Sequence, residues 1–312
     1  MTLVTPTSPH IKSPVSTNRL MRDVLFALLP ALAVGIWRLG LRSLYVTLLC
    51  MVTAIVTEAV IGLITKKHTV GDASAAVCGL LLAMTLPSTV PFWLAALGSV
   101  FAIAFTKAMC GGIGENVFNP ALSARAFMML VFPVGMTVYT GVDGTTGATP
   151  LHHMVMPALP EESVWDMFLG NCAGSIGEIS ALALLLGALY LVIRRVITVR
   201  IPLAYLGTVA LLTLVFHKTD APVQWMLYSL TSGGVMLGAL FMATDYTTSP
   251  VTAKGQWIYG VGCGALTVLF RYFGLFPEGV TYAILTMNAL AWLLDRYTAP
   301  RRFGKVKGGA AQ

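Results

Sequence analysis

The sequence predicts an all-α polytopic membrane protein of about ten transmembrane helices, some short or broken, arranged as two inverted five-helix repeats. Three observations predict it. Of 312 residues, 56% are hydrophobic and 11% charged, and the mean hydropathy is +0.79, more apolar surface than a water-soluble globule buries. The apolar residues fall in continuous runs long enough to cross about 30 Å of hydrocarbon at about 1.5 Å per residue. Between them stand shorter apolar runs bounded by proline, the form that broken helices shielded by protein take.

In chain order, residues 1–23 are polar, carry Lys12 and Arg19, and lack a short apolar stretch ending in a small-residue cleavage site. They read as a cytoplasmic N-terminal segment. Long apolar runs follow near 24–41, 44–65 and 91–109, and after a polar loop near 177–194, 201–217, 225–243, 256–273 and 279–294. Two shorter runs, 74–87 and 121–134, are bounded by Pro87, Pro120 and Pro133 and complete the set. The division is therefore a first repeat over 24–134, an extracytoplasmic loop over 135–175, a second repeat over 176–295 and a basic cytoplasmic tail over 296–312. The repeat itself is read from Gly79-Leu-Leu-Leu-Ala-Met-Thr-Leu-Pro87, which resembles Gly238-Ala-Leu-Phe-Met-Ala-Thr-Asp-Tyr246. Each is followed by a Thr/Ser/Pro turn and another apolar span.

The net charge of +7 and pI near 9.3 do not point to nucleic acid, because Lys and Arg gather beside apolar segments rather than along one soluble face. They read as orientation signals. With the N-terminus inside, Lys66, Lys67, Lys107, Arg194, Arg195, Arg200, Lys254 and the tail from Arg296 fall inside. Arg38, Arg42, Lys218 and Arg271 fall toward the outer face, so the rule is followed imperfectly. Residues 135–175 contain no Lys or Arg, as an outer loop should. Five cysteines stand singly, with no C-x-x-C pair and no Cys/His ligand spacing, so no metal site is expected from this chain.

Within the outer loop lies Asp143-Gly-Thr-Thr-Gly-Ala-Thr149. On its residues alone it reads first as an ordinary surface turn, since Gly and Thr tolerate turn dihedrals. A P-loop is excluded, because no Lys follows the glycines and no strand precedes them. The stretch is, however, similar to the flavinylation motif D-x-x-[ST]-G-A-T of bacterial ion-pumping respiratory complexes. Three further segments agree: Gly111-Gly-Ile-Gly-Glu-Asn-Val-Phe-Asn-Pro-Ala-Leu-Ser-Ala-Arg-Ala-Phe127, Gly174-Ser-Ile-Gly-Glu-Ile-Ser180 and Phe241-Met-Ala-Thr-Asp-Tyr-Thr-Thr-Ser-Pro250. Together they resemble the NqrB/RnfD family over nearly the whole chain, and the compact length resembles its RnfD branch more than the longer NqrB branch.

That resemblance implies a membrane subunit that passes electrons by flavin between ferredoxin and NAD, coupled to Na⁺ or H⁺ movement, in a bacterial or archaeal cytoplasmic membrane. It implies FMN esterified through its phosphate to Thr149 by a flavin transferase, with Asp143, Thr146, Gly147 and Ala148 as the recognition motif. It also implies a non-covalent flavin, riboflavin, near Asn116 and Asn119. The partners it implies are the Rnf subunits A, B, C, E and G, some with iron–sulfur clusters and one with a further covalent flavin.

Other residues stand out by their chemistry. Asn119-Pro120 is a helix start, with Asn119 as N-cap and Pro120 at the first helical position. It leaves free N–H groups facing the membrane domain, so Asn116, Asn119 and Arg125 either line a polar site or simply cap and pair, Arg125 then taking a carboxylate such as Glu115 or Glu178. Asp245, Thr247 and Thr248 offer clustered acceptors and hydroxyls at a helix end, for a flavin or for capping alone. Glu58 and Glu178 lie in or beside apolar segments, where an ionised group costs several kcal/mol unless paired or wet, so each is either an ion-path residue or an ion-paired one. The rival function is a channel or secondary transporter without redox chemistry, to which inverted repeats and broken helices also belong.

Overall fold

A computed structural model describes residues 16–66, 70–112, 114–140, 146–147, 151, 159–160, 162–274 and 278–300. Helix α1 (Thr17–Leu39) starts where Ser16 Oγ accepts a hydrogen bond from Arg19 N, and ends at Gly40. Gly40 has φ 83° and ψ 178°, a conformation open essentially to glycine alone, and it turns the chain straight into α2 (Leu41–Thr65). These two helices are long and apolar enough to cross a membrane. Their exposed Phe26, Trp37, Leu63 and Ile64 make an apolar outer surface suited to lipid.

Helix α3 (Ser74–Met84) is different. All eleven of its residues are buried, so it is a short helix enclosed by others rather than a lipid-facing span. Helix α4 (Phe92–Phe101) continues through a π-helical turn at Ala102–Ala108. Asn119 then caps α5 (Pro120–Val131), its Oδ1 accepting from Ala121 N at 3.1 Å and Leu122 N at 3.3 Å. Pro133 opens a short α6 (Pro133–Met136).

The expected outer loop carries structure of its own. Strands β1 (Tyr139–Thr140) and β2 (Thr146–Gly147) pair antiparallel, with Tyr139 opposite Gly147, a two-residue ribbon that an all-α reading does not foresee. Helix α7 (Val164–Leu169) is capped by Ser163 and stopped by left-handed Gly170. The chain then turns inward: Ile176 N donates to Leu86 O at 3.0 Å and Gly177 N to Met84 O at 2.8 Å. This loop thereby supplies donors to carbonyls that the end of α3 leaves open.

Helices α8 (Ala181–Ile193) and α9 (Arg200–Val215) follow. The apolar run 225–243, expected as one span, is instead broken into α10 (Pro222–Thr231) and α11 (Val235–Leu237, continuing as a π turn over Gly238–Met242), bent by 64°. The cause is the Ser232-Gly233-Gly234 junction, where Gly233 takes φ 63° and Ser232 is extended. Helices α12 (Ala253–Phe273) and α13 (Val280–Thr298) complete the chain.

Like α3, the Gly238–Met242 segment is wholly buried. Two short inner helices, one from each half of the chain, thus occupy the core while longer helices pack around them: α2 on α3, α9 on α12, α12 on α13. The halves meet where α1 packs on α8. There a Cβ on Gly35 would lie 2.3 Å from Ile176 O, and one on Gly187 would lie 2.0 Å from Ala27 O, so only glycine lets these backbones approach.

Candidate functional site: a polar cleft and a buried charge cluster

The two breaks in the apolar architecture each leave polar groups inside the protein. At the first, the start of α5 and the turn after α11 line an open cleft of about 770 Å³, its solvent-side opening included. Its polar lining includes Ser74, Lys107, Asn116, Asn119, Asp245 and Thr247, with Thr244 and Tyr246 beside them, and apolar walls come from Val77, Leu81 and Phe241. Asn119 Nδ2 donates to Met242 O at 3.4 Å and so ties the α5 cap to the end of α11. Asp245 accepts from Thr247 N at 3.1 Å and Thr247 Oγ1 at 3.0 Å, which fixes the turn. Asn116 is buried, and its Oδ1 has no hydrogen-bond partner among the described residues. An orphaned buried acceptor costs about 1–3 kcal/mol, so a donor from a bound molecule is what it lacks.

Four of the six residues proposed from sequence for a non-covalent flavin therefore share one cleft: Asn116, Asn119, Asp245 and Thr247. Thr248 is buried in the same turn but outside the cleft lining. Arg125 is not there. It sits six residues beyond the Asn119 cap, about 9 Å along α5 at the helical rise, in a separate buried cluster.

In that cluster Arg125 Nη1 lies 2.9 Å from Glu178 Oε1, and its Nη2 hydrogen-bonds Glu278 Oε2. Arg271, also buried, donates to Ser229 O at 2.6 Å and Ser232 O at 2.8 Å. Those are the carbonyls freed where α10 stops, at the negative end of its dipole. Glu178 stands at the opposite, positive end, the start of α11, where a Cβ on Gly234 would fall 2.7 Å from its Oε1. Two arginines and two glutamates balance to zero net charge around a broken helix. The Glu178 expected as an ion-path or paired residue is ion-paired, with Arg125, and Glu58 is paired with Lys107.

Sequence reasoning treated Lys107 and Arg271 only as orientation charges and passed over Glu278 and Ser74. A signal was present: Lys107 is the sole charge in the run 91–109, and Arg271 the sole charge in 256–273. A lone cation in an apolar run must find an anion or carbonyls.

Of the flavinylation motif, Thr146 and Gly147 form β2, while Asp143, Ala148 and Thr149 lie outside the described residues. Across the ribbon, buried Tyr139 is within electrostatic reach of Glu278, Arg125 and Glu178, which puts β1 in the neighbourhood of the charge cluster.

The sequence matches the NQR2, RnfD, RnfE family over residues 4–304. The chain belongs to that family. It is 46% identical to the D subunit of the Na⁺-translocating ferredoxin:NAD⁺ oxidoreductase complex of Acetobacterium woodii, over 98% of this chain and 97% of that one. It is 41% identical to the D subunit of the proton-translocating ferredoxin:NAD⁺ oxidoreductase complex of Clostridium ljungdahlii, over 95% of each. The D subunit of the ion-translocating oxidoreductase complex of Stutzerimonas stutzeri is 39% identical over 94% of each. As a member of the NQR2, RnfD, RnfE family, the chain covers these relatives almost end to end.

Proposed function

We propose that this chain is the D subunit of an Rnf-type complex, a membrane flavoprotein in the electron path between ferredoxin and NAD, coupled to Na⁺ or H⁺ translocation. The near-full-length likeness to D subunits carries the subunit assignment. The cleft carries the flavin assignment. It gathers Asn116 and Asn119 with Asp245 and Thr247, more than a hundred positions on, beside an apolar wall.

The residues present fit a flavin. The ring edge of a flavin carries an N–H between two carbonyls, for which Asn116 Oδ1, unpartnered among the described residues, is a buried acceptor and Lys107 and Asn119 Nδ2 are donors. Val77, Leu81 and Phe241 can cover the ring faces. When bound, the flavin supplies the electron-transfer chemistry, and the protein supplies position and field. A second flavin, FMN, is esterified to Thr149 by a flavin transferase that reads Asp143, Thr146, Gly147 and Ala148.

The fold reading behind this is ten helices in two inverted five-helix repeats, with both termini cytoplasmic and the 135–175 loop outside. Its support is a recurring arrangement. In the first half Lys107, late in the α4 π turn, hydrogen-bonds Ser74 at the start of buried α3. In the second, Arg271, late in α12, hydrogen-bonds Ser232 just before buried α11. Glu58, whose Oε2 is buried without a hydrogen-bond partner among the described residues, and Glu178 are the proposed ion-path residues. Subunits A, B, C, E and G, with their iron–sulfur and flavin centres, are the proposed partners.

Two flavin counts test the reading on the purified complex. A denatured band of this chain should fluoresce on a gel, and acid should release a further non-covalent flavin at about one per chain. A dark band from a host that expresses the transferase would remove the covalent FMN; absence of released flavin would remove the cleft assignment.

A further inference from the structure

Among the described residues, Lys107 is the sole cation lining the cleft, and Asp245 the sole carboxylate. Asp245 is held in its own turn by hydrogen bonds from Thr247, and Lys107 is the one described positive charge in the lining that can favour an added electron on a molecule in the cleft. The lysine reaches the cleft because α4 winds into a π turn over Ala102–Ala108, which shifts its last residues around the axis relative to an α-helical register.

An ammonium has three donors. Two are taken, by Glu58 Oε1 and by Ser74 Oγ. Ser74 lines the cleft; Glu58 does not. Glu58 lines a second open cleft, about 520 Å³ with its solvent-side opening included, with Thr65, Gly111 and Gly112, and Lys107 borders both. The ammonium therefore stands between the cleft and its own counter-ion. Lys107 is 4% exposed and Glu58 5%, so water screens neither, and charge–charge effects there are far larger than at a surface.

We infer that Lys107 is the residue that sets the electron affinity of the flavin in this cleft, with Glu58 as the counter-charge that moderates it. The inference rests on the flavin reading of the cleft. Each electron arriving from the complex's low-potential iron–sulfur donor adds a negative charge to the ring, and a fixed ammonium against the cleft wall favours that charge. No bond forms or breaks and no proton leaves Lys107. Glu58, farther from the cleft, subtracts part of the effect.

The test is a spectroelectrochemical titration of the non-covalent flavin in the assembled complex, with acid-released flavin counted in parallel. Lys107→Met/Glu58→Gln keeps the site neutral, so the fold does not have to hold a lone buried charge. At a fixed potential it should shift the oxidised-to-reduced ratio at least tenfold toward oxidised, about 59 mV for a one-electron couple. Lys107→Arg should hold the ratio close to that of the unaltered complex, and Glu58→Gln alone should move it toward reduced. A double variant with flavin bound and a ratio within twofold of the unaltered complex would overturn the inference and leave the flavin reading standing. So would a Glu58→Gln ratio that is unchanged or moves toward oxidised. An unaltered complex that releases no flavin overturns both.

Discussion

Arg125 on α5 and Glu178, in the loop before α8, meet at 2.9 Å with side chains 4% and 3% exposed, an ion pair that bridges the two halves of the chain inside the protein. Glu278 holds the other arm of the same guanidinium. Because the surroundings are buried, removing one member leaves the rest imperfectly compensated, which typically costs about 3–5 kcal/mol. Glu178→Ala should therefore lower the thermal midpoint of the detergent-solubilised complex by many degrees. Glu178→Gln keeps an acceptor for Arg125 and should lose less. Equal midpoints for Glu178→Ala and the unaltered complex would show that the pair contributes nothing to stability.

The α1–α8 crossing predicts a second, purely steric sensitivity. A methyl on Gly187 would meet Ala27 O at 2.0 Å, and one on Gly35 would meet Ile176 O at 2.3 Å; both obstacles are backbone, which cannot swing aside. Overpacking of this kind costs about 1–3 kcal/mol. Gly187→Ala and Gly35→Ala should each destabilise, whereas Gly207→Ala, with nothing within 4 Å of the added carbon, should not. Thermal melts of the three variants decide it: an inert Gly187→Ala would mean that the two helices are farther apart than described.

Much of this was legible in the sequence, and the parts that were not share a cause. Helix positions followed from runs of apolar residues, and the Asn119 cap from Asn-Pro, because both are local signals. The break at 232–234 was missed because Ser-Gly-Gly sits inside an unbroken apolar run, and a hydropathy pattern does not register a backbone turn. Part of the cleft lining was legible, since Asn116, Asn119, Asp245 and Thr247 stand out in the sequence, whereas Lys107 and Ser74, which share it, do not. That Arg125 belongs elsewhere was not, because one and a half helical turns separate the cap from the guanidinium and sequence gives no depth. The pairing of Lys107 with Glu58 and of Arg125 with Glu278 spans 49 and 153 positions, which only the folded chain brings together.

Arg271 makes a prediction about the bend itself. Its guanidinium closes the carbonyls of Ser229 and Ser232, and hydrogen bonds to a charged group contribute about 1.5–3 kcal/mol each. Arg271→Met should loosen the α10–α11 junction, seen as faster amide hydrogen exchange over residues 229–238 than in the unaltered protein. Arg271→Lys, which offers a point charge in place of a planar fork, should recover only part of the protection. Unchanged exchange in Arg271→Met would mean that the junction is held by other groups.

The two proposed flavins separate by mutation, and the separation is itself informative. Thr149→Val deletes the ester-forming oxygen while keeping the β-branched shape, so the denatured band should go dark while acid still releases about one flavin per chain. Thr149→Ser keeps a hydroxyl and should retain some fluorescence if the transferase accepts it. Asn116→Leu does the reverse: it removes from the cleft an acceptor that no described residue satisfies, so released flavin should fall while the band stays bright. Asn119→Ala should lower released flavin too, but at an added cost, because Oδ1 also caps α5 and losing an N-cap destabilises by about 1 kcal/mol. A variant pair in which both counts always fall together would mean one flavin site rather than two, or a fold that fails as a whole, and the thermal midpoint of Asn116→Leu tells these apart. With that midpoint unchanged, a joint loss would assign both signals to a single flavin.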